Sequence, residues 1–129
     1  MQKNFIAHNN LGNIFKSFKM YEKAFEEYKA AITYEPNNHI IQFNTGLMAI
    51  QLSDYKIAEQ YLKKAIQLRP SWELPYIKLA FLKYKQLKQN EKAAYNFSKA
   101  LSLNPNMKNH KDIKKLLLHI NNNILSKSK

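Results

Sequence analysis

The sequence of 129 residues contains no cysteine, only two glycines and only four prolines. The lack of cysteine excludes a disulfide framework, a thiolate zinc site and a cysteine nucleophile. Glycine and proline are too scarce for collagen, low-complexity linkers or a turn-rich β-sandwich. No run approaches the roughly 20 apolar residues that a transmembrane helix needs, and residues 1–10 lack the apolar core of a secretory signal. A single domain in the cytoplasm is therefore expected.

Acidic residues are also few. Nine Asp and Glu stand against 21 Lys and Arg, which gives a net charge of +12. The excess either attracts an acidic partner or reflects a composition rich in Lys, Asn and Ile, and we prefer the compositional explanation. The net charge rises from +1 over residues 1–38 to +5 over residues 106–129. An acidic partner would be drawn to the C-terminal end.

The sequence repeats with a period of 34 to 35 residues, marked by Pro36, Pro70 and Pro105. Proline ends a helix because it cannot continue the hydrogen-bond ladder. Small, bulky and alanine positions recur in phase: Gly12, Gly46 and Ala80; Tyr28, Leu62 and Phe97; Ala24, Ala31, Ala58, Ala65, Ala93 and Ala100. In each unit, apolar residues follow helical spacing in two segments that a short turn joins. This pattern is typical of an antiparallel helix pair.

The repeats predict an all-α fold with helices over residues 5–18, 21–34, 39–51, 55–68, 73–86 and 90–103. The third unit has one residue more than the others, which we expect in the turn near residues 85–89. A seventh helix from Lys108 to Ile124 should cap the stack with an apolar stripe of Ile113, Leu116, Leu117, Ile120 and Ile124. The predicted organisation is one domain with repeats at 5–38, 39–72 and 73–106, a capping helix at 107–125 and a basic tail at 126–129.

These positions resemble the tetratricopeptide repeat (TPR) family. The first unit has the family's residues at the family's spacing, with His8 where tryptophan is usual: His8, Leu11, Gly12, Phe15, Ala24, Tyr28 and Pro36. The resemblance implies an α-solenoid of three helix pairs, a TPR superhelix, whose first helices line a concave groove. It also implies a protein interaction module of the scaffold, adaptor or co-chaperone type.

The resemblance places two kinds of side chain in that groove. The amides can pair with the backbone of an extended peptide: Asn9, Asn10, Asn13 and Asn44. The apolar and basic residues are Ile40, Phe43, Leu47, Ile50, Ile77, Lys78, Phe81, Tyr84 and Lys85. Apolar residues on a concave solvent face mark an interaction site, so we expect this groove to bind a peptide or an amphipathic helix of a partner protein. Because the groove also contains lysines, an acidic partner is favoured. The alternative is that some of the apolar residues pack against neighbouring helices.

Similar co-chaperones hold the C-terminal carboxylate of chaperone tails in a clamp of basic and amide side chains. The positions of this clamp carry over as Asn13, Asn44 and Lys78, with lysine in place of the usual arginine. Asn9 and Leu74 stand where the resemblance leads one to expect lysine. The loss of two charged donors argues against such a clamp.

The sequence offers no catalytic, cofactor or metal site. Both glycines lie inside predicted helices, so no glycine-rich phosphate loop can form. The four histidines lack a second ligand at helical spacing, and no Ser–His–acid set or carboxylate pair can be argued from the spacing. We therefore expect no enzyme activity, no cofactor and no bound metal.

Three other roles remain open. The Lys-rich C-terminal helix could bind nucleic acid or an anionic membrane, although nucleic acid is disfavoured because lysine alone gives only salt-sensitive, unspecific contact. The chain could be the end of a longer solenoid. It could also self-associate as a homo-oligomer through the N-terminal end, where the first helix has no cap.

Overall fold

The computed structural model describes residues 2–127, with side chains from Asn4 onward. The described residues form seven α-helices and no strand: α1 Gln2–Ser17, α2 Tyr21–Tyr34, α3 His39–Gln51, α4 Tyr55–Leu68, α5 Glu73–Phe81, α6 Asn90–Leu103 and α7 His110–Lys127. A π-helical turn, Leu82–Gln86, continues α5. The chain divides into two compact units, one ending at Pro70 and the other beginning at Ser71.

The structure confirms the predicted bounds of α2, α3, α4 and α6, and extends α1 to Gln2. The C-terminal helix begins at His110 and not at Lys108, because the chain first turns through Asn109, whose φ of 69° is left-handed. Asparagine tolerates this conformation better than most residues. The helix also runs on to Lys127, so the predicted basic tail is partly helical, and Ser128 and Lys129 lie outside the described residues.

The two helices of each pair approach most closely where a small residue of the first helix lies opposite a bulky residue of the second. A Cβ atom added to Gly12 would lie 2.6 Å from Cε1 of Tyr28, and one added to Gly46 would lie 3.2 Å from Cγ of Leu62. Both bulky side chains are fully buried. Glycine therefore sets the distance between α1 and α2 and between α3 and α4. The α5–α6 pair has Ala80 at the equivalent position.

The second helix of each pair buries the same pattern of side chains. An alanine, a bulky residue and another alanine follow at spacings of four and three, which places them on one helix face. All nine are completely buried: Ala24, Tyr28, Ala31, Ala58, Leu62, Ala65, Ala93, Phe97 and Ala100. This narrow face lets α2 pack against both α1 and α3, and α6 against both α5 and α7.

The turns inside the first two pairs have the same geometry. A left-handed residue, Lys19 or Ser53, follows the first helix. The next backbone N–H closes the turn by donating to a carbonyl five residues back, as Asp54 does to Ala49 at 2.9 Å. This is a Schellman-type helix ending. Glycine is the usual residue there because it adopts positive φ without strain.

The third pair has the same kind of turn, but the end of its first helix is wound more widely, with π-helical hydrogen bonds. Lys88 is the left-handed residue, but the N–H of Gln89 donates to Lys83, six residues back, at 2.7 Å. The N–H of Leu87 donates to Leu82 at 3.1 Å, a π-helical bond. The bounds of the helix predicted over 73–86 are confirmed, but its last five residues form a π turn. The extra residue is absorbed in this π turn, so its predicted place in the turn near residues 85–89 is wrong. The π turn adds a residue and still leaves the turn and α6 in register with the other repeats.

We expect Gly12→Ala to lower the free energy of unfolding by about 1–2 kcal/mol, although alanine is the better helix former, because the new methyl group meets the Tyr28 ring. Gly46→Ala should cost less, since its contact with Leu62 is longer. In a Tyr28→Leu background, Gly12→Ala should be neutral or stabilising. Urea unfolding followed by circular dichroism measures all three effects, and an equal cost of Gly12→Ala in both backgrounds would refute the contact.

Ser53→Gly should raise the free energy of unfolding by about 1 kcal/mol, because glycine removes the cost of a left-handed residue. The matched control is Ser98→Gly, at an exposed position inside α6. Glycine there should destabilise by about 0.5–1 kcal/mol. The same sign for both substitutions in chemical denaturation would contradict the role given to Ser53.

Tyr28 should make stability depend on alkaline pH. Its hydroxyl donates to Oδ1 of Asn13 at 2.6 Å, and burial raises its pKa to about 12 from 10. The unfolded chain releases this proton first, so the stabilisation is complete below pH 10 and is lost as the pH rises towards 12. The loss should reach roughly 2–3 kcal/mol in the native chain.

Tyr28→Phe should reduce that alkaline loss, while lowering stability at neutral pH by about 1 kcal/mol through the missing hydrogen bond. Urea titrations between pH 7 and 11.5 provide the measurement. Tyr55→Phe, at the first residue of α4, is the control and should keep the alkaline loss. Parallel pH profiles for all three chains would exclude Tyr28 as the cause.

Candidate peptide-binding surfaces

In the first unit, the predicted groove residues lie on α1 and α3 and differ in exposure. Asn10, Asn13 and Ile40 are exposed, and Ile40 keeps 49% of its surface in solvent. Asn9, Asn44, Leu47 and Ile50 are half-buried, and Phe43 is buried. This surface therefore presents mainly amides, with one well-exposed aliphatic side chain.

Two of these amides differ in what they can still bind. Asn13 accepts the hydrogen bond from Tyr28, so its oxygen holds a core side chain in place and its amide group remains to donate. The oxygen of Asn9 is buried and has no hydrogen-bond partner within the described part of the chain. An unmatched buried acceptor of this kind costs about 1–3 kcal/mol.

Part of the apolar face of α3 serves the interior of the first unit. Leu47 packs against the buried cluster of Ala24, Tyr28, Ala31, Ile41 and Met48. Phe43 has only 6% of its surface exposed. Intramolecular packing, which the sequence left open as the alternative, thus accounts for these two residues.

The second unit contains a cleft between α5, the α6–α7 connection and α7, with a volume of about 680 Å³. Pockets of this size hold small ligands or single side chains of a partner. Its lining is Glu73, Leu74, Ile77, Lys78, Phe81, Asn104, Met107, Lys108, Asn109, Asp112, Ile113 and Leu116. Three predicted residues, Ile77, Lys78 and Phe81, are among them.

Contacts within the second unit fix the walls of this cleft. The Phe81 ring meets the buried Phe97 ring edge to face, with centroids 5.0 Å apart. The ammonium group of Lys85 lies 5.7 Å from the Phe81 centroid, which places a positive charge beside the apolar wall. At the other end, Asn104 donates to the Glu73 carboxylate at 3.1 Å and ties the start of α5 to the end of α6. The remaining predicted residue, Tyr84, is half-buried in the π turn.

The sequence did not reveal the side of the cleft that α7 and its preceding connection form. Ile113 and Leu116 belong to the stripe that was predicted to cap the stack. Ile113 and Ile120 are buried, whereas Leu116 is half-buried and lines the cleft. Three of the five stripe residues stay half-buried, namely Leu116, Leu117 and Ile124. An apolar stripe of five residues is the signal that could have indicated a second use of this helix. Met107 lies in the connection and carries no such signal.

The titratable groups near these surfaces indicate structural roles. Burial raises the pKa of Tyr76 in α5, and the neighbouring Tyr95 raises it further. Burial also raises the pKa of Tyr61, with a contribution from Glu26.

Within residues 2–127, no group of three or more His, Asp or Glu side chains could hold a metal ion. In the same range, no helix combines the length and hydrophobicity needed to cross a membrane.

Comparison with known proteins identifies the repeats. The tetratricopeptide repeat profile matches residues 6–38 and 41–71. Protein STIP1 homolog of Dictyostelium discoideum is 32% identical over 96 residues, which cover 74% of this chain and 17% of that protein. Small glutamine-rich tetratricopeptide repeat-containing protein 2 of Saccharomyces cerevisiae is 35% identical over 80 residues, or 62% of this chain and 23% of that protein. The chain therefore spans less than a quarter of the length of these relatives.

A solved structure shares the fold over nearly the whole chain. It is the first TPR of Spaghetti (RPAP3) bound to the HSP90 peptide SRMEEVD, with a TM-score of 0.85 and 19% identity. The match covers 97% of this chain and 96% of that chain. The recurring small and bulky packing positions, which hold each helix pair together, are thus those of a known repeat, and the chain belongs to the tetratricopeptide repeat family.

Proposed function

We propose that this chain binds a peptide or an amphipathic helix of another protein, as a scaffold, an adaptor or a co-chaperone. The observation that carries this proposal is the cleft of the second unit, which has apolar walls and lysines at its edge. Clefts with an apolar lining and a few charged groups are the usual form of a recognition site. The HSP90 peptide bound by the structural relative supports a co-chaperone role.

The chemistry of the cleft favours a partner with one bulky apolar side chain among acidic residues. Leu74, Ile77 and Leu116 offer an apolar seat, and Leu74 keeps 41% of its surface in solvent. Lys78 and Lys108 line the same cleft, and the second unit carries most of the excess positive charge. Two acids line the cleft as well: Glu73 accepts a hydrogen bond from Asn104, and Asp112 is exposed and offsets one of the lysines. An acidic peptide would therefore be steered by the net positive charge of the whole second unit, and not by the cleft lining alone.

Recognition of a free C-terminal carboxylate is a weaker proposal for this chain. The two positions where similar co-chaperones have lysine hold Asn9 and Leu74. Leu74 contributes apolar surface to the cleft in place of a charge. Affinity should depend on the apolar side chain of the peptide more than on its terminus, since charge-assisted hydrogen bonds are the stronger ones and two of their donors are missing.

The first unit offers a hydrogen bond of its own to the backbone of a peptide. The amide group of Asn13 can donate to a peptide carbonyl without selecting the sequence of the peptide. Exposed Ile40 adds an apolar contact. A cytoplasmic location and a role without enzyme activity remain predictions from the sequence and the resemblance.

A second candidate function is the binding of an anionic surface through α7. Lys108, Lys111, Lys114 and Lys115 are all exposed. Binding of this kind would be steeply sensitive to salt, because it rests on the release of counterions. Measuring binding to DNA and to acidic vesicles across salt concentrations tests it, and the absence of binding at low salt would reject it.

Substitutions in the cleft should weaken peptide binding. We expect Leu74→Glu and Leu116→Glu each to weaken binding of a fluorescent SRMEEVD peptide about tenfold or more, because a carboxylate enters an apolar seat and repels the acidic peptide. Fluorescence anisotropy gives the affinity. Both sites are better probes than Leu47, which packs against the buried cluster of the first unit, or Phe81, whose ring lines the cleft but also packs on the buried Phe97 ring.

Leu118→Glu is the matched control, since Leu118 lies on α7 outside the cleft and is 63% exposed. It should bind like the native chain. Replacing the methionine of the peptide with serine should abolish binding, whereas amidation of its C-terminus should change affinity less than about threefold. Native affinity in both cleft variants, or no binding of the peptide at all, would refute the proposed site.

A further inference from the structure

The first helix carries an apolar stripe on a face that the described residues leave uncovered. Ala7, Leu11, Ile14 and Phe18 follow at spacings of four, three and four, which places them on one side of the helix. Leu11 is 41% exposed, Ile14 50% and Phe18 71%. Phe18 belongs to this face although α1 ends at Ser17, because its N–H still donates to the Ile14 carbonyl at 3.2 Å. We call these four residues the α1 stripe.

The next repeat shows what this fold does with the same face. One period of 34 residues later, the equivalents of Ala7, Leu11 and Ile14 are Ile41, Thr45 and Met48, and all three are buried. The equivalent of Phe18 is Leu52, which follows the end of α3 and is 38% exposed. Ile41 and Met48 form one cluster with residues of α2. The face that α3 covers with a helix is therefore bare on α1, and a helix is the element that fits it.

We propose that a second copy of the chain covers this face, with the two α1 helices antiparallel across a two-fold axis. Spacings of four, three and four make the α1 stripe a short heptad-type seam. An axis midway between Leu11 and Ile14 sets Leu11 against Ile14 of the partner subunit. The same axis sets Phe18 against Ala7 of the partner subunit, so the largest side chain meets the smallest. The stripe is thus complementary to itself, as an isologous interface requires.

The distribution of charge favours this pairing over other contacts between copies. The net charge is +1 over residues 1–38 and +5 over residues 106–129. Contact between two first repeats joins the parts of the chain that carry the least net charge. Stacking α7 of one copy on α1 of the next would instead set the exposed Lys111, Lys114 and Lys115 against the apolar α1 stripe, where their charges would lose water without gaining a partner. Such a contact would also be open-ended, whereas the two-fold contact closes as a dimer.

The stripe is small, so the dimer should be weak. A single helix pair with four layers buries less than the roughly 1,200 Å² of a standard interface. We expect a dissociation constant on the order of 10–100 μM. Sedimentation velocity of the full chain from about 5 to 500 μM should show a monomer that converts to a dimer in this range.

Ile14→Glu should weaken the dimer about 100-fold or more, because it places two unpaired carboxylates in the seam. Ile14 is half in solvent, so the monomer should keep its helical circular dichroism. Leu118→Glu, at a residue that is similarly exposed on α7, is the matched control and should dimerise like the native chain.

A charge pair tests the antiparallel register. Ala7→Glu and Phe18→Lys should each weaken the dimer, and the double variant should restore it at least partly, because each new lysine faces a new glutamate of the partner subunit. A strict monomer at 500 μM, on the scale of the expected dissociation constant, or a dimer that Ile14→Glu leaves intact, would overturn the proposal. Failure of the double variant to recover would overturn the antiparallel register.

Discussion

The close approach of the two helices in each pair is the constraint on which the rest of the structure depends. Two backbones can come this near only where one helix carries almost no side chain, and Gly12 and Gly46 provide that space for Tyr28 and Leu62. The alanines of α2, α4 and α6 keep the opposite sides equally narrow. Because the second helices are committed to packing, the faces of α1, α3 and α5 that point away from them are left for binding.

The π turn after α5 keeps the packing positions of the third repeat equivalent to those of the first two repeats, although the third repeat is one residue longer. An added residue in an α-helix would rotate every following side chain by about 100°. The wider π turn takes up the residue after Ala80, and the left-handed Lys88 and buried Phe97 occupy the same places as in the other repeats. As a result α5 still presents Ile77 and Phe81 to the cleft, and Phe97 is in position to support the Phe81 ring.

The two units differ in the chemistry that they offer to partners. The first unit is nearly neutral and exposes amides on one face and the α1 stripe on another. The second unit is basic and encloses an apolar cleft. The proposed self-association and the proposed peptide binding use residues of different units. The charge of +12 is therefore best understood by its position along the chain.

The sequence by itself determined the helices, the repeat period and the packing positions, because these follow from local rules: helical spacing, proline stops and the placement of small residues. It also identified Ile77, Lys78 and Phe81 as one surface. The tertiary structure alone decided which side chains of a helix face remain accessible, since burial depends on where the neighbouring helix crosses. Phe43 and Leu47 turn inward while Ile40 stays in solvent, and Leu116 leaves the capping contact to line the cleft. A helical pattern gives the direction of a side chain but not what lies opposite it.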